Sequence, residues 1–310
     1  MQSQRGPTDV YRRRRLAAAA TMFAPLATLI NSGCTQFSQM ITQQTAPRVL
    51  PPAPSTTDIV TVINNNTNLV RSLYSADASL SAPMTPTLRA TFALERPRRL
   101  RLRADTALTG AELDIGSNDN LFWLWAKRQQ PPAILYCRHD QYAASAARQI
   151  FPVQPEWLVE AMGLPTIDPA SSPQGPHSID RGKLAIQTTS MGPLGPMNRT
   201  LVIDAARGWV LEQQLRDGTG QLVATCRHSN HVVDPASGAT LPRHNEIHWP
   251  ATQFQVSIDF RSLQVNTLLG AQPGLFELPQ INGSPPVDMA AAGLNLGAPV
   301  QAQRPGNLWR

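Results

Sequence analysis

The sequence predicts a mainly β protein of the α+β class: a large curved antiparallel sheet or half-open β-barrel covered by a few short helices. Apolar residues alternate with a period of two over about ten segments between residues 88 and 265. Turn residues separate many of these segments, and helical spacing is confined to short stretches. Consecutive strands joined by short turns usually pair, and the edges of a sheet must be closed or covered. The pattern therefore favours one curved sheet with few helices.

The first predicted element is an amphipathic helix after the proline-bearing segment 35–57. Thr57 or Asp58 can cap its N-terminus, and apolar residues then recur at helical spacing. These residues are Ile59, Val62, Ile63, Leu69, Val70 and Leu73. Such spacing places one apolar face on the helix, which would pack on the sheet.

Strands follow the helix. Residues 88–94 and 99–104 alternate, with Pro97 at the turn between them, which predicts a hairpin with one apolar face. Further strands are predicted at residues 112–117, 121–127, 133–138, 183–189, 200–204, 209–215, 222–228, 246–249 and 254–265. Residues 141–149 and 155–162 predict short helices, and residues 164–177 a loop.

Residues 121–125, Leu-Phe-Trp-Leu-Trp, place bulky apolar groups on both faces of one strand. A strand with one face in water alternates, so both faces of this strand must be covered. Two interpretations stay open: packing beneath the central helices, or the wall of an apolar ligand cavity with the short helix as its lid. The candidate ligand-binding residues are Phe92, Leu94, Leu100, Leu102, Leu113, Ile115, Leu121, Trp123, Trp125, Trp157, Leu158 and Met162.

Basic residues form a stripe on the opposite face of the strand at 99–104. Arg99, Arg101 and Arg103 alternate with the apolar residues there. Such a stripe is typical of a solvated surface, and attraction to anionic lipid head groups is the alternative.

The triplet Cys-Arg-His occurs twice, at residues 137–139 and 226–228. Residues two apart share a strand face, so the triplets could form a Cys2His2 zinc site if their strands met. Two unrelated buried thiols are favoured, and a disulfide is the second alternative. Residues 244–248, His-Asn-Glu-Ile-His, do not have the metalloprotease pattern. No nucleophile elbow or phosphate-binding loop is present. The sequence thus predicts no enzyme, no metal and no cofactor.

The N-terminal residues have the order of a secretory signal. Arg12–Arg15 are basic, residues 16–30 are apolar and uncharged, and small residues precede Cys34. A bilayer-spanning helix needs about 20 apolar residues, so this stretch is too short for a permanent anchor. The ending Ser-Gly-Cys resembles the lipobox of bacterial lipoproteins, which implies that Cys34 is a lipid attachment site. Ordinary signal-peptide cleavage and an uncleaved, membrane-inserted start are the alternatives.

The formal net charge of +6 does not indicate nucleic-acid binding. Five arginines and one aspartate precede Cys34, which leaves a charge of only +2 on the rest of the chain. Binding to a phosphate backbone needs a concentrated basic face. We therefore predict no nucleic-acid partner.

An apolar strand, Arg-Pro and a basic-apolar strand follow one another at residues 91–102, Thr-Phe-Ala-Leu-Glu-Arg-Pro-Arg-Arg-Leu-Arg-Leu. Hairpin motifs then follow in order at residues 201–204, 209–211, 217–218, 241–242, 249–250, 265–266 and 276–279. Both parts resemble the LolA/LolB-like lipoprotein carrier superfamily. The resemblance covers most of residues 58–280. It implies a half-open barrel whose concave apolar face, covered by helices, receives acyl chains of lipoproteins.

Together these features predict an exported lipoprotein, anchored to a membrane by its lipidated cysteine, that binds lipid or palmitate-type acyl chains of lipoproteins in an apolar groove. The alternative is an anchored structural or sensor module without a ligand cavity. The expected location is the cell envelope, at the outer membrane and facing the periplasm. The predicted regions are a signal peptide (1–33), a lipidated N-terminus and Pro-rich tether (34–57), a lipid-binding domain (58–280) and a disordered tail (281–310). The oligomeric state stays open.

Overall fold

Most of the fold is one sheet of 15 strands. The computed structural model describes residues 47–192, 195–268 and 274–291. The strands are β1 (Ser72–Ser81), β2 (Leu88–Glu95), β3 (Arg99–Thr106), β4 (Gly110–Ser117), β5 (Leu121–Ala126), β6 (Ile134–Arg138), β7 (Gln174–Asp180), β8 (Lys183–Gly192), β9 (Gly195–Asp204), β10 (Val210–Arg216), β11 (Leu222–Val233), β12 (Thr240–Trp249), β13 (Phe254–Phe260), β14 (Gln264–Val265) and β15 (Pro286–Asp288). The helices are α1 (Thr56–Asn68), α2 (Ala147–Ile150) and α3 (Pro155–Glu160), with 3-10 turns at His139–Ala144, Pro169–Ser171 and Pro250–Thr252. The prediction of a mainly β fold with few short helices is confirmed.

The strands form two antiparallel meanders. β1 to β6 make the first half of the sheet, and β7 to β13 make the second half. β13 pairs with β1 and joins the two halves, while β14 pairs with the start of β1. β15 lies parallel to β6 at one edge, and β7 forms the other edge. Within the described residues these two edges do not pair, so the sheet is not closed into a barrel.

Helix α1 begins at a capping box. The backbone N–H of Asp58 donates to the Ser55 hydroxyl (3.1 Å), and the backbone N–H of Ser55 donates to the Asp58 carboxylate (2.8 Å). The predicted helix is thus confirmed, with Ser55 as its N-cap in place of Thr57 or Asp58. The helix ends at Asn68, so the predicted helix residues Leu69, Val70 and Leu73 lie beyond it.

Alternation does not predict strand β1, which begins directly after the helix and contains Leu73. The register of β1 against β2 shifts between Ser75 and Ala78, and a bulge of this kind breaks the period of two. Small residues fill most of the strand, so few apolar groups mark its buried face.

Other element boundaries also differ from the prediction. The predicted loop 164–177 ends in strand β7, an exposed edge strand of irregular register. The predicted helix 141–149 is a 3-10 turn followed by the single turn of α2. Strands β9, β11 and β12 extend beyond their predicted ends, because apolar and polar residues do not alternate regularly in the additional portions.

The folded region extends past the predicted boundaries 58 and 280. Leu50 is only 1% exposed, and its backbone N–H donates to Ala206 O. β15 lies inside the predicted tail, and Met289 behind it is 1% exposed. The start of the predicted tail is therefore ordered up to residue 291, because two apolar side chains, Val287 and Met289, pack on the first half of the sheet.

Three apolar clusters hold the fold together. We call the sheet face that carries Phe92 and meets the helices the inner face, and its opposite the outer face. The largest cluster spans the inner face of both halves and the residues that follow β6. A second cluster joins α1 to β8, β9 and β10 on the same face. The third lies on the outer face of β5 and β6, around Trp123 and Trp125.

Candidate functional site

The inner face of the first half is an apolar surface built by strand register. Phe92 of β2 pairs with Leu102 of β3, which pairs with Ile115 of β4. The neighbouring row pairs Leu94 with Leu100. Six of the predicted ligand-binding residues share this face: Phe92, Leu94, Leu100, Leu102, Leu113 and Ile115. The prediction that these residues lie on one face is confirmed, whereas ligand binding there stays a prediction.

A cover made of residues 139–171 lies on this face. Three predicted ligand-binding residues belong to it: Trp157 and Met162 are 6% and 3% exposed, and Leu158 is half-buried against the same cluster. The cover also carries Phe151, whose ring meets that of Phe122 at 5.3 Å, edge to face. Phe122 of β5 points inward, so it belongs to the apolar face that the predicted residues describe.

A few polar contacts tie the cover to the rest of the fold. Glu160 at the end of α3 forms an ion pair with Arg199 of β9 at 2.5 Å. Glu156 pairs with Arg98 at 3.3 Å, beside the turn between β2 and β3. The Asn64 side chain of α1 exchanges two hydrogen bonds with the backbone of Ile167 (2.7 and 2.9 Å). These contacts connect the cover to both halves of the sheet.

Leu121, Trp123 and Trp125 do not share the inner face, so the prediction that they line the same concave surface is wrong. Trp123 pairs with Gly116, and Trp125 with Asp114, on the outer face. The reason is the period of two: Phe122 and Leu124 face inward, and the residues between them must face outward. Trp123 is 0% exposed and packs with Ile134, Leu278 and Ile281. The prediction that both faces of this strand are covered is correct.

The residues that cover these tryptophans come from the C-terminal part of the described chain. The Trp125 indole N–H donates to the Ser284 hydroxyl at 3.1 Å. The Asn118 side chain donates to Phe276 O at 3.1 Å, which holds the same segment. We call residues 274–291 the outer strap. This packing could not be predicted from the sequence, because the strap lies largely in the predicted tail.

The arginine stripe is a solvated surface at its ends, but its centre is buried. The Arg101 side chain is 11% exposed, donates to Asp114 at 2.7 Å and lies 5.7 Å from the centre of the Trp123 ring. It also donates to Gly274 O and Leu275 O of the outer strap. Arg99, which pairs with Asp119, is 36% exposed, and Arg103 is 60% exposed. The outer strap covers the centre of the stripe, and the sequence could not reveal it.

A row of polar side chains crosses the inner face of the second half. We call Gln213, Cys226, His228 and Asn245 the polar row. Gln213 Nε2 donates to His228 Nε2 (3.0 Å), and His228 Nδ1 donates to Asn245 Oδ1 (2.7 Å). Burial lowers the pKa of His228 to about 4 and raises the pKa of the Cys226 thiol, so both groups are neutral near pH 7. The alternation of apolar residues did not predict that Gln213 and Asn245 face inward. The Cys-Arg-His triplet placed Cys226 and His228 on one strand face, but did not show which face.

The two triplets do not form one site. Cys137 and Cys226 are both buried, free thiols, and burial raises the pKa of each. Across the described ranges, no group of three or more histidine, cysteine, aspartate or glutamate residues is arranged to hold a metal ion. The structure therefore favours the interpretation as two unrelated buried thiols over the disulfide and the zinc site.

Two clefts lie away from the predicted residues. A cleft of about 220 Å³ lies between α1 and the second half, lined by Val62, Trp209 and His231 among others. An open depression of about 560 Å³ lies on the outer face beside Glu212 and His244. None of the twelve predicted residues lines either cleft. On the inner face of the first half, Trp157 and Met162 of the cover are buried in the same apolar cluster as Phe92 and Leu102.

The described helices are all too short or too polar to cross a bilayer. Cys34, the predicted attachment site, and the predicted signal peptide lie outside the described residues. The geometry described here therefore bears on the folded domain alone.

Comparison with known proteins finds similarity of fold only. No protein-family model matches the chain, and no curated protein matches it significantly. Solved structures similar to it include a putative outer membrane lipoprotein-sorting protein domain from Vibrio parahaemolyticus, at 10% identity over 68% of this chain and 93% of that one, with a TM-score of 0.46. A DUF1329 family protein from Desulfovibrio piger has 12% identity, 71% and 96% coverage and a TM-score of 0.45. A LolA superfamily protein from Nitrosomonas europaea has 12% identity, 68% and 94% coverage and a TM-score of 0.42. The resemblance found in the sequence is to the same group, but at these TM-scores the likeness carries no argument about function.

Proposed function

We propose that this protein binds lipid or the acyl chains of lipoproteins between the inner face of the sheet and the cover, as a non-catalytic carrier or acceptor. One observation carries the proposal: a continuous apolar face is buried by short helical segments and not by a second sheet. Each methylene that moves from water to such a face contributes about 0.8 kcal/mol. An acyl chain of ordinary length can therefore compete with the side chains of the cover.

The cover is the part of the fold that could move. Helices α2 and α3 have 4 and 6 residues, too few to be stable without their packing. The sheet beneath is held by backbone ladders on both sides of β2 and β3. Displacing the cover would break the Glu160–Arg199 pair and expose Trp157 and Met162. A ligand that binds only the open form would shift the population toward it.

The lipid-binding proposal can be tested by native mass spectrometry after the purified protein is incubated with a saturated fatty acid. Leu158→Asp places a charge beside the apolar face, and we expect it to reduce uptake at least about tenfold. Met84→Asp, at a turn where Met84 is 84% exposed, is the matched control and should bind as the wild type does. Thermal unfolding of each variant checks that it is folded. A folded wild-type protein that takes up no fatty acid would refute the proposal.

We also propose that Cys34 carries the lipid anchor, which would make the protein a stationary acceptor or local handler in the cell envelope. The N-terminal order of basic residues, apolar residues and a small-residue approach to the cysteine supports this. Cys34→Ser should lose the acyl mass and move from the membrane fraction to the soluble fraction. Unchanged mass and fractionation would contradict the anchor while leaving the lipid-binding proposal intact.

An anchored structural or sensor module is the second candidate. The observation that favours it is the burial of Trp157 and Met162, which are 6% and 3% exposed within the same apolar cluster as the inner face. In such a module the cover would be a permanent part of the core. Fatty-acid uptake that responds to Leu158→Asp but not to Met84→Asp distinguishes the two candidates.

A further inference from the structure

The polar row contains two buried polar atoms that have no hydrogen-bond partner. Gln213 Oε1 and Asn245 Nδ2 are both without one, and both residues are 0% exposed. Buried polar groups are nearly always paired, so each exception needs a reason. One of these atoms is an acceptor and the other is a donor.

The direction of the hydrogen bonds explains which atoms remain. Gln213 Nε2 donates to Glu160 O (2.8 Å) and to His228 Nε2 (3.0 Å), which uses both of its hydrogens. His228 must then carry its proton on Nδ1, which it donates to Asn245 Oδ1 (2.7 Å). Gln213 Oε1, an acceptor, and Asn245 Nδ2, a donor, therefore remain without hydrogen-bond partners. The three residues lie on adjacent strands, with His228 directly opposite Asn245.

Backbone carbonyl groups of the cover accept hydrogen bonds from the polar row. Glu160 O accepts from Gln213, and Ala161 O accepts from the Cys226 thiol at 3.1 Å. Both carbonyls belong to the C-terminal end of α3, and Glu160 O also accepts from the backbone N–H groups of Gly163 and Leu164 (3.0 Å each). If the cover is displaced, Gln213 and Cys226 lose these acceptors while apolar neighbours such as Ile247 and Ala224 still surround them. The opened inner face would then present donors and an acceptor within an apolar surface.

We infer that the polar row binds the polar head of an acyl ligand, with a carboxamide as the chemical class, in place of the carbonyl groups of Glu160 and Ala161. The inference rests on the proposed function. A carboxamide carbonyl can accept from Gln213 Nε2 or Asn245 Nδ2, and its N–H can donate to Gln213 Oε1. A carboxylate fits poorly, because the partners of the row named above, the Glu160 and Ala161 carbonyls and the neutral His228, carry no positive charge.

The test compares two probes of equal chain length, dodecanamide and dodecane, by competition against a bound fluorescent fatty acid. In the full protein, Gln213→Met keeps the size of the side chain and removes its polar atoms. We expect this variant to weaken the binding of dodecanamide about three- to tenfold and to leave the binding of dodecane unchanged. Gln214→Met is the matched control, because Gln214 follows on the same strand and points to the outer face, where it donates to Glu212. This control should change the binding of neither probe.

A second variant, Asn245→Leu, removes the other end of the row and should have the same selective effect. Circular dichroism and thermal unfolding check that each variant is folded. Equal weakening of both probes would show that the row only holds the cover, and would overturn the inference. Unchanged amide binding in both folded variants would overturn it as well, while the proposed function would stand. If the wild type bound neither probe nor the fatty acid, the proposed function itself would fail.

Discussion

The two halves of the sheet are built from the same alternating strands but are covered differently. In the first half, the cover buries the inner face and the outer strap buries the outer face around Trp123 and Trp125. In the second half, α1 and the end of α3 bury the inner face, whereas the outer face carries polar side chains such as Glu212 and Arg227. The outer strap thus holds the outer face of the first half. Any opening of the inner face must therefore come from movement of the cover.

The outer-face ion pairs give the largest expected difference between the halves. Arg101 and Asp114 lie beneath the outer strap, with side chains 11% and 7% exposed. Arg101→Leu leaves the buried Asp114 with only the more distant Arg103 (3.8 Å) as a charge partner, and we expect a loss of about 3 kcal/mol in the free energy of unfolding. Arg227→Leu removes an arginine that is 67% exposed, so the expected loss is below about 1 kcal/mol. Urea unfolding measures both, and equal losses would contradict the contrast between the halves.

The polar row predicts a pH dependence that originates in the second half. The pKa of His228 is about 4 in the folded chain, against an ordinary value of 6.5. Between pH 6.5 and pH 4 the unfolded chain binds a proton that the folded chain does not, so stability falls as the pH falls. The decrease amounts to at most about 3 kcal/mol. Burial also lowers the pKa of His231, which adds to the slope in the same direction.

The measurement is urea unfolding at several pH values in this window, with His228→Gln as the comparison. The variant should lose most of the pH dependence. An identical slope in the variant would show that His228 is not the source.

Close packing beneath the outer strap predicts a smaller effect at Gly116. A Cβ at this position would overlap the indole ring of Trp123. Gly116→Ala should therefore destabilise the protein by about 2 kcal/mol, because the ring must leave its place over β4. Gly192→Ala in the second half would meet the flexible Met197 side chain at 3.1 Å and Gly195 O at an ordinary contact distance of 3.5 Å, and should change stability by less than about 0.5 kcal/mol. Thermal unfolding compares the two, and a neutral Gly116→Ala would mean that the tryptophan packs loosely.

The smallest effect concerns the helix that covers the second half. Ser55→Ala removes the hydroxyl that caps α1, and we expect a loss of about 1 kcal/mol in the free energy of unfolding. Val49→Ala, in the same approach to the helix, removes a side chain that is 58% exposed and should have little effect. A neutral Ser55→Ala would indicate that packing alone holds the helix on the sheet.

The sequence predicts the inner face of the first half well, because a period of two directly encodes which residues share a strand face. Phe92 and Leu102 could be placed together from alternation alone. The same rule, applied strictly, would have assigned Phe122 to the inner face and Trp123 to the outer face. The outer strap could not be predicted for two reasons. Its contacts join residues far apart in the chain, and its one strand, β15, has only three residues. Strand β1 was hidden by its bulge, and the polar row by the lack of apolar residues at inward positions.

Mapping the attachment sites of a photoreactive fatty acid tests the central claim most directly. The protein is loaded with the probe and irradiated, and its peptides are sequenced by mass spectrometry. Labels are expected on inner-face and cover residues, such as Leu102, Leu158 and Met162, and not on Trp123 or Trp125. Labels on those tryptophans, or only in the cleft beside Trp209, would contradict binding between the inner face and the cover.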